Sequence, residues 1–431
     1  MGAVKIFQKG ALQLESSSWN DPTPALSGQV ATPYLTLGKQ KTTNFEVDNS
    51  IDTQAFKDVP RKVTEFAEEN ITCYSRFSGN NPMLFWAWGF ETTNKVIVLT
   101  LEDDPSISPD AVYEYSANPD GEEFVFLREE EIPKGKVWIF SSEEDLSEMV
   151  LSKVSGDGPA TVTVTEKSDL MCEHIYELDR TDRHVTDFKT DEQIEGWEAG
   201  DKKNRLATIA VSIKDDEDLR FEKATCKSFG FSSEAANFAE LSFTFLSKNQ
   251  TKGDFGVSAT EFRPELRDSD NIVVHHQLQV DVGVDEDSLV ALGVTSAELS
   301  VDIPLPTDQD TRSGLNIMEP VLEGKYDITF SLNLSRYSAD TYQIYRDAWT
   351  SVVARVSSFL DYYRTDFFIH KAKISDAGPD DSDVTQEPLE FQVGIFGEQS
   401  WSKALKGNNL VQKSPVTMRV RDYNFTNNMF L

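Results

Sequence analysis

Cysteine is scarce: the chain of 431 residues has three, Cys73, Cys172 and Cys226. An odd, widely spaced set supports neither a disulfide framework nor a thiolate metal centre, so the expectation is reduced thiols in a cytosolic product. Histidine is also sparse, with five residues. Cys172-Glu173-His174 with His184 lacks a second Cys or His at finger-like spacing, and His275-His276 fall on opposite faces of an extended chain, so neither set clamps one ion. Long apolar runs are missing. Nothing approaches the roughly 18 apolar residues that span a bilayer, and MGAVKIFQKGALQLESSSW lacks the apolar run and cleavage pattern of an export signal, so no membrane partner is expected. The deficit with the widest consequence is in positive charge: 41 basic residues stand against 73 acidic ones, a formal charge of −32. Gripping duplex DNA requires Lys and Arg to displace counterions from phosphate, so this chain is not built to hold nucleic acid. Its acidity suits solubility, a saline medium or a functional charge role, and composition alone leaves these open.

Catalytic signatures are missing as well. No G-x-S-x-G, H-E-x-x-H, G-x-x-x-x-G-K-[ST] or G-x-G-x-x-G occurs, so no catalytic residue and no cofactor site is assigned. The carboxylate runs Asp215-Asp216-Glu217-Asp218, Asp285-Glu286-Asp287 and Asp380-Asp381-Ser382-Asp383 remain. Calcium takes about six to eight converging oxygens, whereas consecutive acids in a loop point apart, so these read as solvated turns and no metal ligand is assigned. A glycosidase pair supplied by distant strands stays open.

What the chain does have is β-forming apolar material, including 27 Phe. Around Phe221 to Lys248, Ala239, Leu241, Phe243 and Phe245 alternate with Glu240, Ser242 and Thr244, the period of a strand with one apolar and one polar face. The pattern recurs twice. Ala297, Leu299, Val301 and Ile303 alternate with Glu298, Ser300 and Asp302; Tyr326, Ile328, Phe330, Leu332 and Leu334 alternate with Asp327, Thr329, Ser331, Asn333 and Ser335. None of the polar positions is Lys or Arg.

In chain order, VKIFQ and ALQLE read as short strands, and QVATPYLTL with KTTNFEVD as a hairpin across Gly38-Lys39-Gln40. NPMLFWAWGF, with Pro82 at a first-turn position, reads as one or two buried helical turns; Trp86 and Trp88 suit a core better than a sugar-stacking surface. Residues 102–200 hold several strand candidates and one helix candidate, SEEDLSEMVLSKV. RLATIAVSI is apolar on both faces, as in a strand buried on both sides. A polar stretch from Asn249 to Asp270 reads as a linker. Tyr342, Tyr345, Trp349, Val352, Val356, Phe359 and Tyr363 recur at steps of three and four, which predicts a helix over 338–363. The fold class expected is therefore mainly β with flanking helices, an α+β arrangement of two tandem β-sandwich or barrel modules. The first spans 1–249, with an N-terminal arm and an elaborated 102–200 region; the second spans 250–431.

The strand pair at 221–248, with VTSAELSVDIPLP, GKYDITFSLNLSRY, FFIHKAKISDAGPDD and PLEFQVGIF, resembles the tail tube proteins of long-tailed bacteriophages and related viruses. The resemblance covers roughly half the chain and rests on pattern, with no diagnostic motif. It implies a structural virion protein without enzymatic activity, made in the host cytoplasm, whose subunits form rings that stack into a tube for genome delivery. Its partners would be further copies of itself, other tail proteins at the tube ends, and viral DNA in passage. Under that resemblance Glu240, Ser242, Thr244, Glu298, Ser300, Asp302, Asp327, Thr329, Ser331 and Asn333 would face the lumen. Inter-ring contacts would come from the segment Trp19 to Asp48, with Trp19, Tyr34, Leu35 and Phe45, and from the terminal Met429, Phe430 and Leu431. Since simple tube proteins carry one module in six-fold rings, a doubled module implies a trimeric pseudo-hexamer, with a hexamer of one elaborated module as the alternative. Two other classes stay open: a capsid decoration or adhesin module that binds carbohydrate, and a hydrolase on a β scaffold.

Overall fold

The computed structural model describes residues 8–15, 19, 21–23, 25, 30–34, 36–37, 41–46, 61–100, 112–115, 136–141, 149–155, 160–164, 167–178, 206–214, 217–257, 271–284, 289–305, 320, 326–334, 352–360, 363–377, 387–393, 399–400, 411–412 and 415–422. Strands β1 (Gln8–Glu15), β2 (Val30–Tyr34), β3 (Thr36–Leu37), β4 (Lys41–Glu46) and β5 (Arg61–Tyr74) precede helix α1 (Asn81–Trp88). Then come β6 (Gly89–Thr100), β7 (Val112–Tyr115), β8 (Lys136–Ser141), β9 (Met149–Ser155), β10 (Thr161–Val164), β11 (Lys167–Leu178) and β12 (Leu206–Lys214). The middle of the chain forms β13 (Glu217–Glu234), β14 (Glu240–Ser247), β15 (Asn249–Gly253), β16 (Leu278–Gly283), β17 (Val290–Leu292) and β18 (Val294–Asp302). The rest supplies β19 (Asp327–Leu334), β20 (Val352–Leu360), β21 (Tyr363–Ala377), β22 (Glu387–Val393), β23 (Gln399–Ser400), β24 (Val411–Gln412) and β25 (Val416–Asp422). Every pairing among them is antiparallel, and the mainly-β class is the one the alternating patterns imply.

The longest strand, β13, belongs to two sheets. Its first half pairs with β12 and β15, and its second half with β14 and β18. The change falls at a β-bulge, where Glu222 and Lys223 together oppose Thr208 between the aligned pairs Ile209↔Phe221 and Ala207↔Ala224. Lys223 adopts φ 55, left-handed backbone that sharpens the bend. The first sheet runs β2–β1–β12–β13–β15. The second runs β5–β14–β13–β18–β19–β22–β21–β25–β11–β6–β8, with β3 and β4 along β5 and a branch β21–β20–β16–β17.

The second sheet folds over itself. Phe231 on β13 meets Phe367 on β21 at 4.6 Å between ring centroids, although three strands separate β13 from β21 along the hydrogen-bonded order. Helix α1 fills the interior near the corner: Trp86 packs on Phe243 and Phe245, Trp88 packs on Phe229, and the Trp86 indole N–H donates to the Ala224 carbonyl at 3.2 Å. After Asn81 the helix consists of Pro, Met, Leu, Phe, Trp and Ala, with no polar face to show water, so it lies inside. Gly89 ends it at φ 86, the left-handed conformation that closes helices at low cost, and its N–H donates to the Phe85 carbonyl.

On the other surface of the β21 layer, where alternation alone would expose polar side chains, a buried ionic cluster forms. Arg364 pairs with Asp366 next to it on β21, and Arg419 on β25 reaches the same carboxylate oxygen at 2.5 Å. Burial raises the Asp366 pKa, but Arg364 and Arg419 outweigh it and hold the carboxyl well below the usual range.

Several expectations are corrected. The second part of the helix expected over 338–363 is strand: Val352, Ala354 and Val356 are buried on β20 between β16 and β21. Residues four apart share a face in a strand as well as in a helix, and Val352-Val353 favours the strand; residues 338–351 lie outside the described residues. Met149–Ser155, the end of the other helix candidate, is strand β9. The hairpin across Gly38-Lys39-Gln40 is absent, because β3 and β4 both pair with β5 in one register, Leu37↔Ile71 and Lys41↔Ala67. The linker begins as strand β15. The boundary at 249/250 is crossed by the β13–β18 and β11–β25 pairings, and one core joins Phe229, Leu241 and Phe243 with Leu299, Phe330 and Phe391.

Candidate functional site

Six neighbouring strands, β5, β14, β13, β18, β19 and β22, present one polar surface. It follows from strict alternation: Ile71, Phe243, Phe229, Val301, Phe330 and Phe391 turn to the core, so the residues between them turn out. Register sorts those residues into rows across the strands. One row reads Tyr74, Glu240, Ser232, Glu298, Ser331, Glu390; the next reads Thr72, Ser242, Gly230, Ser300, Thr329, Gln392; the third reads Asn70, Thr244, Ser228, Asp302, Asp327. None of these positions carries Lys or Arg. Lys227, bulged out beside the third row, is ion-paired to Glu68 at 2.6 Å, and Lys373 lies next to Gln392 on the following strand.

The middle row is low and hydroxyl-rich. At its centre a Cβ on Gly230 would come within 2.4 Å of Ser242 Oγ, so any side chain there would force the Ser242 hydroxyl to turn aside. Acids flank it on both sides. Asp302 and Asp327 stand directly opposite one another, an arrangement of like charges that destabilises a strand pair, and the Gln392 side-chain amide donates to Asp327 at 2.9 Å. Asn333 donates to Ser296 Oγ at 2.7 Å on the far side. At that end lies a cleft of about 520 Å³ lined by Tyr74, Glu234, Asn237, Phe238, Glu240 and Glu298. Phe238 meets Tyr74 edge to face at 5.2 Å and is 45% exposed.

Such a surface repels phosphate and offers bases little to stack on. Its carboxylates and hydroxyls stay hydrated, and phosphate oxygens meet acceptors where a nucleic-acid-binding groove would place cations.

All ten polar residues singled out from the sequence, Glu240, Ser242, Thr244, Glu298, Ser300, Asp302, Asp327, Thr329, Ser331 and Asn333, come together on this one face. The sequence reading missed both margins, Asn70, Thr72 and Tyr74 on β5 and Glu390 and Gln392 on β22, and the central positions Ser228, Gly230 and Ser232 on β13. Their signal was the same alternation, in NITCY and LEFQV. Of the second group of candidates, Trp19, Tyr34 and Phe45 fall among the described residues. Trp19 is buried among Leu206, Leu246 and Leu305, so its indole packs within the chain's own core, and its carbonyl accepts from Lys248 Nζ at 2.8 Å. Tyr34 pairs with Gln8 on β1 and Phe45 with Lys62 on β5, while Leu35, Met429, Phe430 and Leu431 lie outside the described residues.

Trp86 and Trp88 are core residues, 2% and 1% exposed. Cys73 and Cys226 are free and buried, and burial pushes both thiols up to about 12. His174 is buried and stacked on Tyr176, and among the described residues no group of His, Cys, Asp and Glu could hold a metal ion. His275 accepts from or donates to Ser233 Oγ through Nδ1 at 2.9 Å while Nε2 contacts the Val294 carbonyl, which ties β13 to the start of β18. Asp218, expected in a solvated turn, is buried and accepts the backbone N–H groups of Phe255 and Val257. Among the described residues no helix is long and apolar enough to cross a membrane. The chain matches no known family and no curated protein.

Proposed function

We propose that this chain is a structural subunit that assembles into rings, that the rings stack into the tail tube of a long-tailed virus, and that the polar face of β5, β14, β13, β18, β19 and β22 lines its lumen. One observation carries the reading: a continuous six-strand surface of Ser, Thr, Asn, Gln, Asp and Glu, interrupted only by Gly230 and by Tyr74 at its edge, with no Lys or Arg in its rows. A ligand-binding face would concentrate cations, aromatics or convergent donors at one point, whereas this one repeats the same chemistry from strand to strand. DNA moving along it would meet no cation to hold a phosphate and no aromatic platform on the central strands to stack a base. The carbohydrate-binding alternative loses its stacking residues, because Trp86 and Trp88 are in the core.

Negative-stain microscopy of the purified full chain tests the reading. Rings or long hollow tubes are expected, with three-fold rings supporting a pseudo-hexamer and six-fold rings a hexamer. Monodisperse globules at every concentration and salt would overturn it.

A further inference from the structure

Glu15 ends β1 and Lys223 occupies the bulge of β13, with β12 between the two strands. Lys223 Nζ lies 2.5 Å from Glu15 Oε2, and neither side chain has any solvent exposure. The other carboxylate oxygen, Oε1, accepts from the Thr208 hydroxyl at 2.6 Å and from the Lys223 backbone N–H at 3.3 Å. Lys223 reaches this place from φ 55, backbone that glycine adopts more cheaply, so the bend carries a long amine where its conformation favours no side chain. An amine, a carboxyl carbon and two donors on one oxygen are the parts of an acyl transfer.

We infer that Lys223 and Glu15 condense to a side-chain amide, a covalent bridge from the first strand to the corner strand that is independent of the tube reading. In a site closed to water, Nζ first passes a proton to Oε2, leaving a neutral amine and a neutral acid. The amine lone pair attacks Cδ, and the carbonyl π pair moves onto Oε1, where the Thr208 hydroxyl and Lys223 N–H are already aimed at the developing charge. A second proton passes from nitrogen to Oε2, the Cδ–Oε2 bond breaks, and one water leaves. Nothing is oxidised or reduced, and no co-reactant enters. In open solution the charged pair would persist. Here orientation is equivalent to a local concentration of about 10⁵ M or more, and the closed site opposes hydrolysis of the product.

The test is the intact mass of the full chain, measured after denaturation so that it does not depend on folding. A mass lower than the sequence value by one water, with a branched Glu15–Lys223 peptide after proteolysis, is expected. The full sequence mass would mean an ion pair only and would overturn the bridge, as would a water lost at any other position. Lys223→Met should restore the full mass. Thr208→Val keeps both reacting groups and removes one donor, so loss of water after synthesis should slow by about 10²-fold; conversion as fast as in the native chain would overturn the assigned chemistry.

Discussion

Asp366→Asn keeps the shape of a buried side chain and removes its charge. The native Oδ2 serves two guanidinium groups, Arg364 on the same strand and Arg419 across the β21–β25 pair, the latter through Nε at 2.6 Å and Nη2 at 2.5 Å. Asp366 and Arg364 are each 1% exposed and Arg419 is 4% exposed, so water cannot replace the lost partner. Breaking one buried pair costs about 3–5 kcal/mol, and a carboxylate shared by two cations places this substitution at the upper end, roughly 5 kcal/mol. Against a total stability of about 5–15 kcal/mol that loss is large enough to read from urea denaturation followed by tryptophan fluorescence. The pH dependence supplies a second check. The folded carboxyl titrates below its unfolded counterpart, so its contribution is complete above the unfolded value near pH 3.9 and is lost as pH falls through the folded one. The gap between native protein and variant should therefore stay constant from about pH 8 to pH 5 and narrow only below about pH 4. A difference under about 1 kcal/mol at neutral pH, the size of an exposed pair, would refute the argument.

Replacing Glu240, Glu298, Asp302 and Asp327 together by Lys should leave the fold and ring assembly intact and slow DNA delivery, because a basic wall captures phosphate; unchanged ejection from tails carrying the substitutions would reject the lumen assignment. Trp86→Ala empties the space against Phe243 and Phe245 and should cost about 3–5 kcal/mol in the same urea assay. Cys73 and Cys226, with thiols pushed up to about 12, should resist iodoacetamide near pH 8 in the folded chain and react on unfolding; peptide mapping of labelled native protein would expose an error. Deleting residues 1–15 removes β1 and should open the first sheet, read as lost protection of β12 amides in hydrogen exchange.

Local pattern was enough to find the β13–β14 hairpin, the strands β18 and β19, the apolar helix α1, and the ten polar residues of the central face. Each of these is encoded within a few neighbouring residues. What joins them is not: nothing in the period of Phe229 and Phe231 says that β18 lies on one side and Phe367 across the core. The strand β20 was hidden because Val352, Val356 and Phe359 suit both periods, and the choice is made by β16 and β21 on either side. Arg364, Asp366, Arg419 and Arg421 recur at every second position, as surface residues of a strand do, so their burial is legible only when β21 and β25 are placed together. The N-terminal segment read as an arm because β1 has only the short strand β2 near it in the chain; the strand that ties it into the sheet on its other side, β12, begins at Leu206.

The pairing of β25 with both β21 and β11 also sets a timetable for synthesis. Cys172 is aligned with Asp422, 422 − 172 = 250 residues later in translation. At roughly 5–20 residues per second, the free edge of β11 waits roughly 12 to 50 s for its neighbour to leave the ribosome. During that interval the nascent chain displays an open strand edge, the kind of template on which neighbouring nascent chains cross-pair, so crowding of ribosomes on one message is a hazard for this topology. The same delay means that a chain truncated before Val416 lacks the strand that joins β21 to β11.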